Sequence, residues 1–114
     1  MTIDSEQQGS VQVLRLDGDV DEDAVNPLRI ALQRCIREGK GHVVLNLQNV
    51  RFMSYMGVGI LVERLRQFRA MHGDMKLVGL NLYLDRLFRM VGVTALFDRY
   101  ESEAQAVQQF REAA

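Results

Sequence analysis

A chain of 114 residues has room for one packed core, and its 47% hydrophobic and 25% charged side chains are ordinary for a globular protein. Fourteen Lys and Arg against fifteen Asp and Glu give a net charge of -1, which argues against a nucleic-acid or anionic-membrane binder, since both need a basic surface. The polar start MTIDSEQQGS is no secretory leader, no apolar run approaches the ~18 residues of a membrane span, and a lone cysteine, Cys35, excludes an internal disulfide, so the expected compartment is the cytoplasm.

Along the chain, strand and helix patterns alternate with no Ser/Gly-rich or single-charge linker, so residues 1–114 are expected to form a single domain. Residues 2–7 give a weak strand, a turn follows at Gln8-Gly9-Ser10, and VQVLRL (11–16) is a better strand ending in Asp17-Gly18-Asp19. Val25, Leu28, Leu32, Cys35 and Ile36 recur at helical spacing over 24–38. Asp21, Glu22 and Asp23 suit the positive end of that helix, Pro27 is expected near its first turn, and Gly39 and Gly41 end it. HVVLNL (42–47) is almost continuously apolar, the pattern of a strand covered on both faces.

A second helix is expected from Tyr55 or Met56 to Met71, with Val58, Leu61, Leu65 and Phe68 inward and Glu63, Arg64, Arg66, Gln67 and Arg69 mostly off that stripe. His72-Gly73-Asp74 turns the chain into MKLVGL (75–80), a further strand. Asn81 then caps a third helix whose Leu84, Leu87, Phe88 and Val91 share a face, with Gly92 closing it. A last helix covers 102–110, capped by Ser102. The order β-β-α-β-α-β-α-α implies two βαβ crossovers, hence an α/β fold with a mixed, mostly parallel sheet of four or five strands and about four helices. Its core should include Leu14, Leu16, Leu32, Val44, Leu45, Leu61, Leu65, Leu77 and Leu87.

Function in such sheets gathers on the loops at the carboxyl ends of the parallel strands, here 17–23, 48–57 and 79–82. The middle loop is chemically odd: Phe52, Met53, Tyr55 and Met56 are apolar where a loop is usually polar, and Ser54 precedes Gly57-Val58-Gly59. One reading is an exposed apolar rim around a helix N-terminus, as a docking surface needs; the other keeps Phe52 and Met53 in the core and makes Ser54 an N-cap. Catalysis, metal and cofactor binding find no support. His42 and His72 stand alone at element boundaries, Cys35 lies on an apolar stripe, Asp17, Asp19, Asp21 and Asp23 lack the later glutamate of an EF-hand, and Gly57-Val58-Gly59 has no following lysine. Met75 and Met90 read as gap-fillers in the core.

Three segments resemble the STAS family, named for sulfate transporters and anti-sigma factor antagonists. VLRLDGDVD (13–21) is similar to its opening strand, VVLNLQNVRFMSYMGVGIL (43–61) to its central strand, loop and helix start, and KLVGLNLYLDRLFRMVGVTALFDRY (76–100) to its last strand and following helix. The resemblance implies a protein that works by partner switching: the dephosphorylated antagonist binds an anti-sigma kinase and frees the sigma factor, and phosphorylation reverses this. Because the three loops lie at one end of the sheet, the expected partner surface combines Asp19, Asp21, Met53, Ser54, Tyr55, Met56, Gly57 and Asn81; the resemblance implies an anti-sigma factor or serine-kinase-type protein as partner, the charge balance and the lack of a long apolar run argue against nucleic acid and membrane insertion, and a homodimer is left open. The family's loop reads Asp-Ser-Ser-Gly with phosphate on the first serine, whereas this chain has Ser54-Tyr55-Met56-Gly57. Ser54 is therefore the phosphorylation candidate by default, with Tyr55 at the usual acceptor position. The alternative is a STAS subunit of a signalling scaffold or lipid-transport complex without a phosphate switch. A phospho-receiver is disfavoured because the central strand ends in Asn46-Leu47-Gln48-Asn49, with no carboxylate to phosphorylate.

Overall fold

The computed structural model describes residues 1–113. Its elements are β1 (Thr2–Gln8), β2 (Val11–Asp17), α1 (Glu22–Arg37), β3 (His42–Asn49), α2 (Tyr55–Ala70), β4 (Asp74–Val78), α3 (Leu82–Val91), a 3-10 turn (Thr94–Leu96), β5 (Arg99–Tyr100) and α4 (Glu103–Ala113). The strands form one sheet in chain order, β1-β2-β3-β4-β5, with β1 antiparallel to β2 and the remaining pairs parallel. The β1–β2 hairpin closes between Gln8 and Val11, and Gly9 takes the left-handed φ of +62° that a two-residue turn demands.

Alternation along the strands divides the core into two layers. Leu14 and Leu16 of β2, Val43, Leu45 and Leu47 of β3, and Met75 and Leu77 of β4 pack with Leu28 and Leu32 of α1, Leu61, Leu65 and Phe68 of α2, and Leu87 and Phe88 of α3. The opposite face carries Val11, Val13, Val44 and Val78 beneath Ala106, Val107 and Phe110 of α4. All nine expected core residues are buried, though Val44 belongs to the α4 layer. The near-continuous apolar run of β3 follows from this cover on both faces.

Polar groups clamp α4 to the sheet. The Glu103 carboxylate accepts from Arg15 Nε at 2.7 Å and Nη2 at 2.9 Å, and from Asn46 Nδ2 at 2.6 Å. The Arg15 hydrogen bond holds the Glu103 carboxyl below its ordinary value despite partial burial, and Asn46 adds to the effect. Lys76 is buried beside Phe110, its Nζ 4.8 Å from the ring centroid and 3.1 Å from Asp98 Oδ2. Burial alone would depress the Lys76 ammonium; hydrogen bonds to Asp98 and Asp74 outweigh it and leave the group above its ordinary value.

Several expectations need correction. A third crossover exists, β4-α3-β5, because the two-residue β5 pairs in parallel with β4. Because α1 starts at Glu22, two residues before the expected Ala24, Pro27 falls just beyond its first turn, on the exposed side. Arg64 is only 6% exposed; its Nη1 donates to Gln67 Oε1 at 2.7 Å. His42 is not a plain surface histidine but stacks on Phe110 at 5.0 Å. Val91 and Met90 are exposed, at the end of α3 and off its buried face. As expected from its place on the apolar stripe, Cys35 lies in the core, where burial pushes its thiol above its ordinary value.

Candidate functional site

The carboxyl ends of β2, β3 and β4 deliver three loops to one end of the sheet, and each runs straight into a helix. Each helix is capped by the side chain that precedes it. Asp21 Oδ1 accepts from Ala24 N at 3.1 Å, Ser54 Oγ from Gly57 N at 3.2 Å, and Asn81 Oδ1 from Leu84 N at 2.8 Å. Such a side-chain acceptor satisfies one of the amide donors a helix start leaves open.

The loops are also fastened to one another. Gly18 N donates to Asn49 O at 3.0 Å, Val20 N to Phe52 O at 2.9 Å, and Ser54 N to Val20 O at 2.8 Å, so the first two loops extend the parallel pairing beyond their strands. Asn81 fastens the third: its Nδ2 donates to Val50 O at 3.2 Å and Arg51 O at 3.4 Å. The result is a braced platform with three helix N-termini behind it.

On this platform Tyr55 is 65% exposed and Met56 57% exposed, at the first turn of α2. Phe52 is at the edge of exposure and meets Tyr83 of α3 with ring centroids 5.9 Å apart. Between the 52–55 loop and α3 lies a groove of about 280 Å³ lined by Phe52, Ser54, Tyr55, Tyr83, Arg86 and Met90, together with the buried Met53 and Leu87. Met53 and Gly57 do not belong to the exposed rim. Met53 is buried, and a Cβ on Gly57 would meet Met53 Cγ at 2.8 Å and Val20 Cγ1 at 3.0 Å, so both are packing elements under the loop. The two readings of the loop are thus each half right: Met53 is core and Ser54 is an N-cap, while Tyr55 and Met56 are exposed.

Of the other residues singled out, Asp19 and Asp21 stand exposed on the loop beside Met53 and Ser54, although Asp21 is committed to capping α1. Asn81 is partly buried and acts as a brace. The sequence reading missed Leu82, Tyr83 and Met90, which give α3 an exposed apolar flank. The available signal was that α3 is apolar on more than one side of its helical wheel, which one buried stripe does not require.

The sequence model of the STAS domain matches residues 2–106. The chain belongs to the STAS family. Among curated relatives, this STAS domain is 27% identical over 108 residues to an anti-sigma F factor antagonist of Paenibacillus polymyxa, covering 94% of this chain and 92% of that one. It is 24% identical over 96 residues to the anti-sigma-B factor antagonist of Staphylococcus aureus, covering 84% of this chain and 89% of the relative. Among solved structures, the fold is similar to the anti-sigma factor antagonist SpoIIAA in its unphosphorylated form, with a TM-score of 0.78 at 24% identity over 96% of this chain and 98% of that one. An anti-sigma factor antagonist structure from Mycobacterium paratuberculosis gives a TM-score of 0.87 at 21% identity, with 96% and 93% covered. These relatives are named as antagonists of anti-sigma factors.

Proposed function

We propose that this STAS domain is an anti-sigma factor antagonist: it binds a kinase-type anti-sigma factor through the platform formed by the three loops and so controls sigma-factor-dependent transcription in the cytoplasm. The observation that carries the reading is the exposed pair Tyr55 and Met56, presented on a rigid, capped helix start. Large exposed aromatic and methionine side chains are enriched among the anchors of protein interfaces. Asp19 and Asp21 supply an acidic border on the α1 side.

Phosphorylation of Ser54 is the switch this reading assigns, since it is the one serine or threonine of the loop. A phosphate there would add about −1.5 to −2 charge next to a helix N-terminus of roughly +0.5, which the helix tolerates and an apolar rim docked on a partner does not. A second reading, binding without a phosphate switch, is favoured by one observation: Ser54 Oγ is already engaged with Gly57 N, and Tyr55 holds the exposed position next to it. It corresponds to a STAS subunit of a signalling scaffold or lipid-transport complex.

The test mixes the protein with the purified anti-sigma factor of its source organism, with and without ATP, and measures complex formation and phosphate position by mass spectrometry. A complex without ATP, weakened when phosphate appears on Ser54, is the expected result. A complex that never acquires phosphate selects the second reading. Phosphate on Tyr55 or outside residues 52–57, or no complex at all, overturns the proposal.

A further inference from the structure

The outer side of α3 carries apolar groups that the core does not need. Its inward stripe, Leu84, Leu87 and Phe88, is buried, yet Tyr83 is 48% exposed and Met90 69% exposed. Spacing of i, i+3 and i+7 puts Tyr83, Arg86 and Met90 on one face of α3, and that face lines the groove beside the 52–55 loop. Apolar side chains scattered singly over a surface call for no explanation; Phe52, Tyr55, Tyr83 and Met90 gathered around one concavity do.

The two walls of the groove are fixed relative to each other before anything binds. Asn81 joins them: it caps α3 at Leu84 N and donates to Val50 O and Arg51 O, where the loop begins. Ser54 N is tied to Val20 O, and the Phe52 and Tyr83 rings meet at a 53° tilt. A preformed hollow of about 280 Å³ stands at the small end of ligand sites, which run from about 300 to 1,000 Å³. It has room for one or two fused rings.

The chemistry of the lining selects the ligand class. Three aromatic rings and a thioether favour an aromatic occupant, through offset or edge-on ring contacts and sulfur–ring contact. Arg86 is the one charged residue of the lining, exposed and without a carboxylate partner among the described residues, whereas its neighbour Asp85 is held by Arg89 and Arg99. A guanidinium in that position can donate two parallel hydrogen bonds to a carboxylate.

We infer that this groove is a binding site for a small aromatic carboxylate, its ring against Phe52, Tyr83 and Met90 and its carboxylate on Arg86. Such a site exists whether or not the protein binds an anti-sigma factor, and its test needs only the protein and small molecules. Naphthoate is titrated into the protein and followed by the methyl NMR signals of the methionines. Met90 and Met53, which line the groove, should shift saturably with a Kd of about 1 mM or tighter, while Met71 and Met75 stay unchanged. Arg86→Gln, at an exposed position, should keep the wild-type unfolding midpoint and bind naphthoate about fivefold more weakly or worse. The uncharged analogue naphthamide should bind the wild type about as weakly as naphthoate binds Arg86→Gln, and should not distinguish the two proteins.

Equal affinity for naphthoate and naphthamide, or equal binding of naphthoate by wild type and Arg86→Gln, overturns the placement of the carboxylate. Tighter binding of decanoate than of naphthoate overturns the aromatic class. Shifts that spread to Met71 and Met75, or no saturation by about 10 mM, mean adventitious contact with apolar surface only and overturn the site.

Discussion

Removing the side chain of Asn81 should loosen the platform without unfolding the sheet. Asn81 does two separable jobs: Oδ1 caps α3 at Leu84 N, and Nδ2 braces Val50 O and Arg51 O of the neighbouring loop. Loss of an N-cap costs about 1 kcal/mol. Loss of a neutral hydrogen bond to a partly buried carbonyl costs about 1 kcal/mol more, so Asn81→Ala should destabilise the protein by about 2 kcal/mol in urea unfolding. Asn81→Asp retains the capping oxygen and removes the amide donor, so its loss should be about 1 kcal/mol. The local consequence distinguishes a brace from a cap. With Asn81→Asp, the amides of Val20 and Ser54, bonded to Phe52 O and Val20 O, should exchange about fivefold faster, the factor that corresponds to 1 kcal/mol. If Asn81→Asp matched the wild type in both stability and exchange, Asn81 would be a cap alone and the three loops would not act as one surface.

Leu65 is almost fully buried in the layer between α2 and the sheet, so Leu65→Ala should cost roughly 2–5 kcal/mol in urea unfolding, and a loss under 1 kcal/mol would mean the inward face of α2 is misassigned. Glu103 gives a pH prediction of definite sign. Its carboxyl is held below its ordinary value of 4.5 in the folded protein, so its stabilising contribution is present above that pH and is lost as the pH falls through the folded value. Glu103→Gln should therefore be less stable than the wild type by about 1 kcal/mol at pH 7, a modest figure because the Arg15 partner is partly exposed, and the gap should narrow as the pH falls below the ordinary value. A gap that stayed constant down to pH 3 would contradict the assignment.

Much of the fold was legible because local and long-range signals agree. Period-3.6 stripes in α1 and α2, the two-sided apolar run of β3, and capping residues at Ser54, Asn81 and Ser102 each point to the element the chain forms. Two-residue β5 was not legible, since Arg99 and Tyr100 are too short to show alternation and are held by pairing with Leu77 and Val78. The ionic clamp on α4 also escaped notice. It joins Arg15, Asn46 and Glu103 across 88 residues of sequence, and no local pattern brings them together. Within the site, spacing placed Tyr55 and Met56 at the start of α2, but it does not tell which apolar residue of a loop turns inward. Met53 does so because the pairing of Val20 with Met53 continues the sheet and points its side chain under Gly57. The exposed flank of α3 was lost for a related reason: the stripe at Leu84, Leu87 and Phe88 accounts for burial, and Tyr83 and Met90 gain meaning only beside Phe52 and Tyr55.

The most direct test of the account is the affinity of Tyr55→Ala for the purified anti-sigma factor, measured by titration calorimetry beside the wild type. Tyr55 is 65% exposed and no hydrogen bond holds it among the described residues, so the substitution should leave the unfolding midpoint nearly unchanged. Affinity should fall at least tenfold, about 1.4 kcal/mol, as expected for an interface anchor. Unchanged affinity, with the fold intact, would place the partner surface elsewhere on the domain and contradict the account.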